Sequence, residues 1–115
     1  MVGKIPGKQL GNAGIWEKIT KTIPASTTDV IDTITLTDFS AVKYIICIEM
    51  LTRVVMLDMN LIKDNSVIAE TIFGKIGRGI NFDINTNTGG GVMTVNVTNH
   101  ELNSIYIEFI KYKFN

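Results

Sequence analysis

From residue 15 onward, large apolar residues recur at every second position, in short runs broken by turn-forming clusters. That period belongs to strands whose two faces meet different surroundings. Residues 15–23 put Ile15, Ile19 and Ile23 on one face, interrupted by Glu17 and Lys21. After a turn at 24–29, residues 32–37 alternate, with Ile34 and Leu36 inward and Thr33, Thr35 and Thr37 outward. Residues 43–51 are apolar on both faces: Tyr44, Ile46, Ile48 and Met50 on one, Ile45 and Cys47 on the other. Such a strand is expected at the centre of a sheet, its second face covered by other elements or by another subunit. Residues 53–63 align Val55, Leu57, Met59 and Leu61, and Lys63-Asp64-Asn65-Ser66 then forms a hairpin turn into a strand over 67–76.

Gly77-Arg78-Gly79 ends that strand, after which Ile80, Phe82 and Ile84 alternate with Asn81, Asp83 and Asn85. The run 86–91, closing on three glycines, predicts a loop. Met93, Val95 and Val97 alternate with Thr94, Asn96 and Thr98; residues 99–103 turn the chain, and 104–114 make a closing strand. About eight strands with frequent turn signals predict an all-β domain over 15–115, an antiparallel β-sandwich. Jelly-roll and immunoglobulin-like topologies both fit, because strand order leaves no trace in periodicity. Residues 1–14 carry Gly3, Pro6, Gly7, Gly11 and Gly14 and read as an extended arm. Ile5 and Leu10 suit that arm to lying on a neighbouring surface.

Composition and charge adjust this picture in four ways. The 115 residues are 45% hydrophobic and only 19% charged, against about 25% charged in an average domain. So low a charged share hints at apolar surface hidden in a subunit contact, for which an assembling building block would offer Ile5, Leu10, Trp16, Ile45 and Cys47 as candidate contact residues. Eleven basic residues balance eleven acidic ones, which removes the field that draws nucleic acid to a protein. No run approaches the roughly 20 apolar residues of a membrane span. The opening residues lack a signal-peptide pattern, so synthesis in a cytoplasm is expected.

Candidate chemistry is sparse. Cys47 is the only cysteine and His100 the only histidine, so neither a disulfide nor a two-histidine metal site can form within one chain. Cys47 reads as a small packing residue and His100 as a solvent-facing turn residue. Asp58 and Glu70 are candidates to meet across the hairpin at 64–65, but a hydrolase needs two carboxylates converging in a cleft. Residues 74–79 superficially look like a phosphate loop, yet Ile76 follows Lys75 where Ser or Thr is required. Residues 83–87 have the alternating oxygens of a calcium loop without its glycine and distal glutamate. Asn96-Val97-Thr98 fits a glycosylation sequon that has no secretory context. No catalytic residue, metal or cofactor is expected. Trp16, Tyr106 and Tyr112 are candidates for a glycan platform, the last two sharing a face.

Two patches resemble small tailed-phage structural proteins. One combines Gly14-Ile15-Trp16-Glu17-Lys18-Ile19, Pro24-Ala25-Ser26-Thr27-Thr28 and Tyr44-Ile45-Ile46; the other is the hairpin 57–71 followed by Phe82-Asp83-Ile84. The hairpin departs from the common pattern in carrying Asn65-Ser66 where Asn-Gly or Asp-Gly is usual. The resemblance implies a virion β-sandwich module of tail-fibre, baseplate, collar or head-decoration type. It implies a non-enzymatic homo-oligomer, trimeric or ring-forming, in contact with other virion proteins and with no catalytic residues to carry over. The alternative is a carbohydrate-binding module that reads a host-surface glycan, or a host protein, through outward loops at 86–91 and 99–103.

Overall fold

Residues 41–50 alternate buried and more exposed side chains without a break, the pattern of a strand with one face in the core. The computed structural model describes residues 16–65 and 67–114, and eight strands account for most of them. They are β1 (Trp16–Ile23), β2 (Thr28–Thr35), β3 (Ala41–Met50), β4 (Arg53–Asp64), β5 (Val67–Ile76), β6 (Phe82–Gly89), β7 (Val92–Asn99) and β8 (Ile105–Phe114). A short 3-10 turn, Leu36–Asp38, follows β2. The expected arm at 1–14, with Ile5 and Leu10, lies outside the described residues.

All pairings are antiparallel. The strands form a five-stranded sheet ordered β1-β8-β3-β4-β5 and a three-stranded sheet ordered β2-β7-β6. The most apolar strand, β3, is therefore central. An immunoglobulin domain keeps its first two strands in one sheet. Here β1 and β2 separate, the first pairing with β8 and the second with β7, so the chain wraps in the jelly-roll manner. The departures are that β3 pairs with β4 and β7 with β6, where a jelly roll pairs β3 with β6 and β7 with β4, so that the β4–β5 hairpin widens the larger sheet.

The core fills the space between the sheets. Tyr44, Ile46 and Ile48 of β3, Leu57 and Met59 of β4 and Ile107 and Phe109 of β8 meet Met93, Val95 and Val97 of β7, all essentially inaccessible to solvent. Full burial of one such side chain stabilises by about 1.5–3 kcal/mol. The two charges that interrupt the inner face of β1 are both paired, Glu17 with Lys111 and Lys21 with Asp29.

Three local expectations change. Strand β2 begins at Thr28, inside the expected turn, and ends before Leu36, which enters the 3-10 turn. A bulge between Val30 and Asp32 adds one residue, so both Ile31 and Asp32 reach the interior. The expected loop at 86–91 is mostly strand: Thr86, Asn87, Thr88 and Gly89 pair with Val95, Thr94, Met93 and Val92. Only Gly90 and Gly91 turn the chain, with φ of 61° and 82°. Positive φ at both central residues is what a two-residue type I′ hairpin demands, and glycine meets that demand without strain.

Candidate functional site

The outward positions of the five-stranded sheet line up in cross-strand rows. Trp16 lies opposite Tyr112, which lies opposite Lys43. In the next row Lys18, Ile110, Ile45, Asp58 and Phe73 run across all five strands. Then come Thr20, Glu108, Cys47, Met56 and Ile76. Trp16, Ile45 and Cys47, three of the expected contact residues, thus share one face, with Trp16 half exposed and the other two partly so.

Four charges in the middle of this face pair with one another, while Glu49 and Asp64, toward its ends, make no ion pair among the described residues. Lys18 Nζ lies 3.4 Å from Glu108 Oε2, and Lys43 Nζ lies 3.7 Å from Asp58 Oδ2. Lys43 also sits over the Phe73 ring at 5.6 Å. The Cys47 thiol is pushed above its ordinary pKa of 9.0, first by desolvation and then by Glu49 and Glu108. It stays protonated at neutral pH, which suits a packing residue rather than a nucleophile.

The aromatic residues divide. Trp16, Tyr112 and Phe114 cluster at one corner, with ring centroids 4.7 and 4.6 Å apart and planes tilted by 60° and 51°. Tyr106 shares the face but lies opposite Thr22 and Glu49, six residues along β8 from Tyr112. At about 3.4 Å per residue that is roughly 20 Å, so Tyr106 stands apart from the cluster and Phe114 takes its place. Edge-on rings pack well against one another, whereas a sugar ring stacks on a flat aromatic surface.

The remaining candidates fall into structural roles. Asp58 points outward and pairs with Lys43, while Glu70 lies opposite Leu61 on the inner side and accepts a 2.7 Å hydrogen bond from the Thr86 hydroxyl. The two carboxylates therefore occupy opposite faces of the sheet. His100 Nε2 lies 2.7 Å from Asp83 Oδ2 in an exposed turn. The glycine run contains a bulge of β5 and a chain crossing: Gly77, at φ 93°, lies against the backbone of Val54, and Arg53 donates to the Gly79 carbonyl. Residues 83–87 lie within β6, with alternate side chains on opposite faces. The sequon residue Asn96 is buried and its amide donates to Asn85 and Thr94. No group of three metal-ligating residues occurs among the described residues. No described helix is long and apolar enough to cross a membrane.

Two polar sites escaped the sequence reading. Asp32 of β2 accepts a 2.6 Å hydrogen bond from the Tyr44 hydroxyl and lies 3.2 Å from Lys111 Nζ, all three side chains withdrawn from solvent. Burial, then the charge and hydrogen bond of Asp32, then the charge of Glu17 raise the Tyr44 phenol far above its ordinary value. The only sequence signal was Lys111 at an inward position of the closing strand. At the other site, fully buried Asn99 presents its amide nitrogen to the carbonyls of Ile23, Pro24 and Asn103, and its oxygen accepts from Glu101 N–H.

No family model and no curated protein matches the chain. Among solved structures it is similar to the tailspike protein of Acinetobacter baumannii phage AM24, with a TM-score of 0.54 and 6% identity over 88% of this chain and 26% of that one. The tailspike protein of Acinetobacter phage vB_ApiP_P1 gives a TM-score of 0.47 and 7% identity over 96% of this chain and 23% of that one. The chain thus spans about a quarter of each tailspike. What it shares with the AM24 protein is the fold.

Proposed function

We propose that this chain is a non-enzymatic structural module of a tailed-phage virion that assembles as a homo-oligomer. The observation that carries this reading is the fold shared with a phage tailspike over 88% of the chain. The exposed apolar face of the large sheet supports it, since a building block needs a surface to bury. Asp58 and Glu70, the carboxylate pair considered for glycoside hydrolysis, lie on opposite faces of the sheet. Tail fibre, baseplate, collar and head decoration all remain within the proposal, as do a trimer or a ring, other virion proteins as partners, and synthesis in the host bacterial cytoplasm. The alternative, a module that binds a host-surface glycan, draws on the Trp16–Tyr112–Phe114 corner, whose tilted rings favour protein packing.

Two measurements test the proposal. Gold-labelled antibody against the purified protein should decorate phage particles at a fixed position in electron micrographs. Light scattering of the 115-residue chain, beside a version lacking residues 1–14, should give a mass of several chains that loosens without the arm. Particles that bind no antibody after mild dissociation would remove the virion reading. A mass of one chain in both versions would remove the assembly reading and make glycan-array binding the next measurement.

A further inference from the structure

The two sheets turn opposite chemistry to the outside. On the three-stranded sheet the outward positions in reach of solvent include Thr33, Thr94, Thr98, Asn85 and Asn87. Their side chains bond partly to one another and to neighbours on the same face, as Thr98 does to Thr28 at 2.8 Å. That is the ordinary solvated face of an antiparallel sheet. On the five-stranded sheet the equivalent positions include Trp16, Met56, Ile62, Phe73, Ile110 and Phe114, each between 36% and 58% exposed. A soluble monomer rarely leaves a contiguous apolar patch larger than a few hundred Å² in water.

We propose that the outer face of the five-stranded sheet is the surface on which copies of this chain pack against one another. This rests on the homo-oligomer reading above and assigns it a place. Area supports the assignment. Five strands about 4.8 Å apart, each about ten residues of about 3.4 Å, give a face of roughly 800 Å². One partner in a standard-size interface contributes about the same area, about 800 Å². Charge supports it too. The Lys18–Glu108 and Lys43–Asp58 pairs neutralise the middle of the face, and the other two outward carboxylates, Glu49 and Asp64, lie toward opposite ends of it, so a second identical face meets little like-charge repulsion at its centre. A charged partner such as a polyanion would find no field there to bind. The apolar side chains run over all five strands rather than along one edge, so the contact is face to face.

The test uses a reporter the chain already contains. Cys47 is its only cysteine and lies between Glu108 and Met56 in the middle of this face. Alkylation of Cys47 by a maleimide is followed at fixed pH across a dilution series, with light scattering in parallel. The wild-type chain is compared with Ile110→Lys and Ile62→Lys on this face, and with Thr33→Lys on the polar face. Circular dichroism and thermal unfolding establish that each variant is folded, and having two variants guards against the loss of one. The proposal expects wild-type Cys47 to be protected about tenfold or more where the mass exceeds one chain. Ile110→Lys and Ile62→Lys should bring the mass to one chain and remove the protection, while Thr33→Lys changes neither. An oligomer whose Cys47 labels as fast as in the lysine variants, or whose mass survives both of them, overturns this inference and leaves homo-oligomerisation intact. A wild type of one-chain mass at every concentration overturns both.

Discussion

The Tyr44 hydroxyl donates a 2.6 Å hydrogen bond to Asp32 Oδ2, tying the centre of the large sheet to an edge of the small one through the apolar core. Lys111 completes the tie from β8, lying within 3.3 Å of both Asp32 oxygens and of Glu17 Oε1. Removing one partner strands the others in a medium that solvates charge poorly. Asp32→Ala should therefore cost about 3 kcal/mol, because Lys111 loses its buried counter-charge. Tyr44→Phe leaves the ion pair intact and should cost about 1.5 kcal/mol, the value of a hydrogen bond to a charged acceptor. Urea denaturation at neutral pH measures both, and equal costs for the two variants would refute this ordering.

The same group sets how stability responds to alkali. Tyr44 in the folded chain ionises well above its ordinary value of 10.0, and Cys47 above 9.0. A raised pKa means that the folded state keeps a proton the unfolded state has lost, so stability is complete below the unfolded value and falls as pH rises past it. The urea midpoint should hold up to about pH 9 and then decline, more steeply beyond about pH 10. Tyr44→Phe should lose the steeper part of that decline. A variant with the same alkaline slope as the wild type would assign the effect to another group.

The inner face of the large sheet was legible because one physical rule decides it. Every second residue of β3 and β4 must leave water, and Tyr44, Ile46, Leu57 and Met59 do so where the alternation puts them. Turns were legible where a residue type forces one, as Asn65 does at φ 60°. Thr86, Asn87, Thr88 and Gly89 misled because their composition suits a loop, yet cross-strand pairing to Val92, Met93, Thr94 and Val95 outweighs local propensity. The bulge at Ile31 shifts the alternation by one residue and has no sequence mark. The apolar outer face of the large sheet was half legible. Ile45 and Cys47 announced a second apolar face of β3, but Met56, Ile62 and Phe73 join it only through the β4–β5 register.

Asn99 shows how much one amide can hold. It ends β7 fully buried, its nitrogen within 3.1 Å of the carbonyls of Ile23 and Pro24 and 2.9 Å from that of Asn103. It thereby joins the end of β1, the turn before β2 and the turn before β8. Asn99→Ala should cost about 3 kcal/mol, since the buried Ile23 carbonyl and the part-buried carbonyls of Pro24 and Asn103 lose a donor at once. Asn99→Asp should cost more at neutral pH, because a carboxylate would face those carbonyl oxygens with no proton to offer. Acidification should narrow the gap by protonating the aspartate. Thermal unfolding of both variants at pH 7 and near pH 4 checks this, and an Asn99→Asp variant as stable as Asn99→Ala at pH 7 would contradict the donor role.

Two turn positions with positive φ should respond in opposite directions. Gly77 sits at φ 93°, and a Cβ there would lie 2.2 Å from the carbonyl oxygen of Val54, a backbone atom that cannot swing aside. Gly77→Ala therefore combines an unfavourable dihedral with a steric overlap and should cost at least about 2 kcal/mol. Leu51 sits at φ 56° between β3 and β4, with 80% of its surface in solvent. It occupies the first of two turn residues linking Met50 to its partner Arg53, the position a type II′ hairpin reserves for glycine. Leu51→Gly relieves that backbone and gives up little packing, so it should gain about 0.5–1 kcal/mol, with the extra flexibility of the unfolded chain limiting the benefit. In a domain of this size the gain is a rise of about 2–5 °C in Tm. A fall in Tm for Leu51→Gly would mean that Leu51 makes contacts in solution that offset its strain, and the turn would then belong with the apolar face beside it.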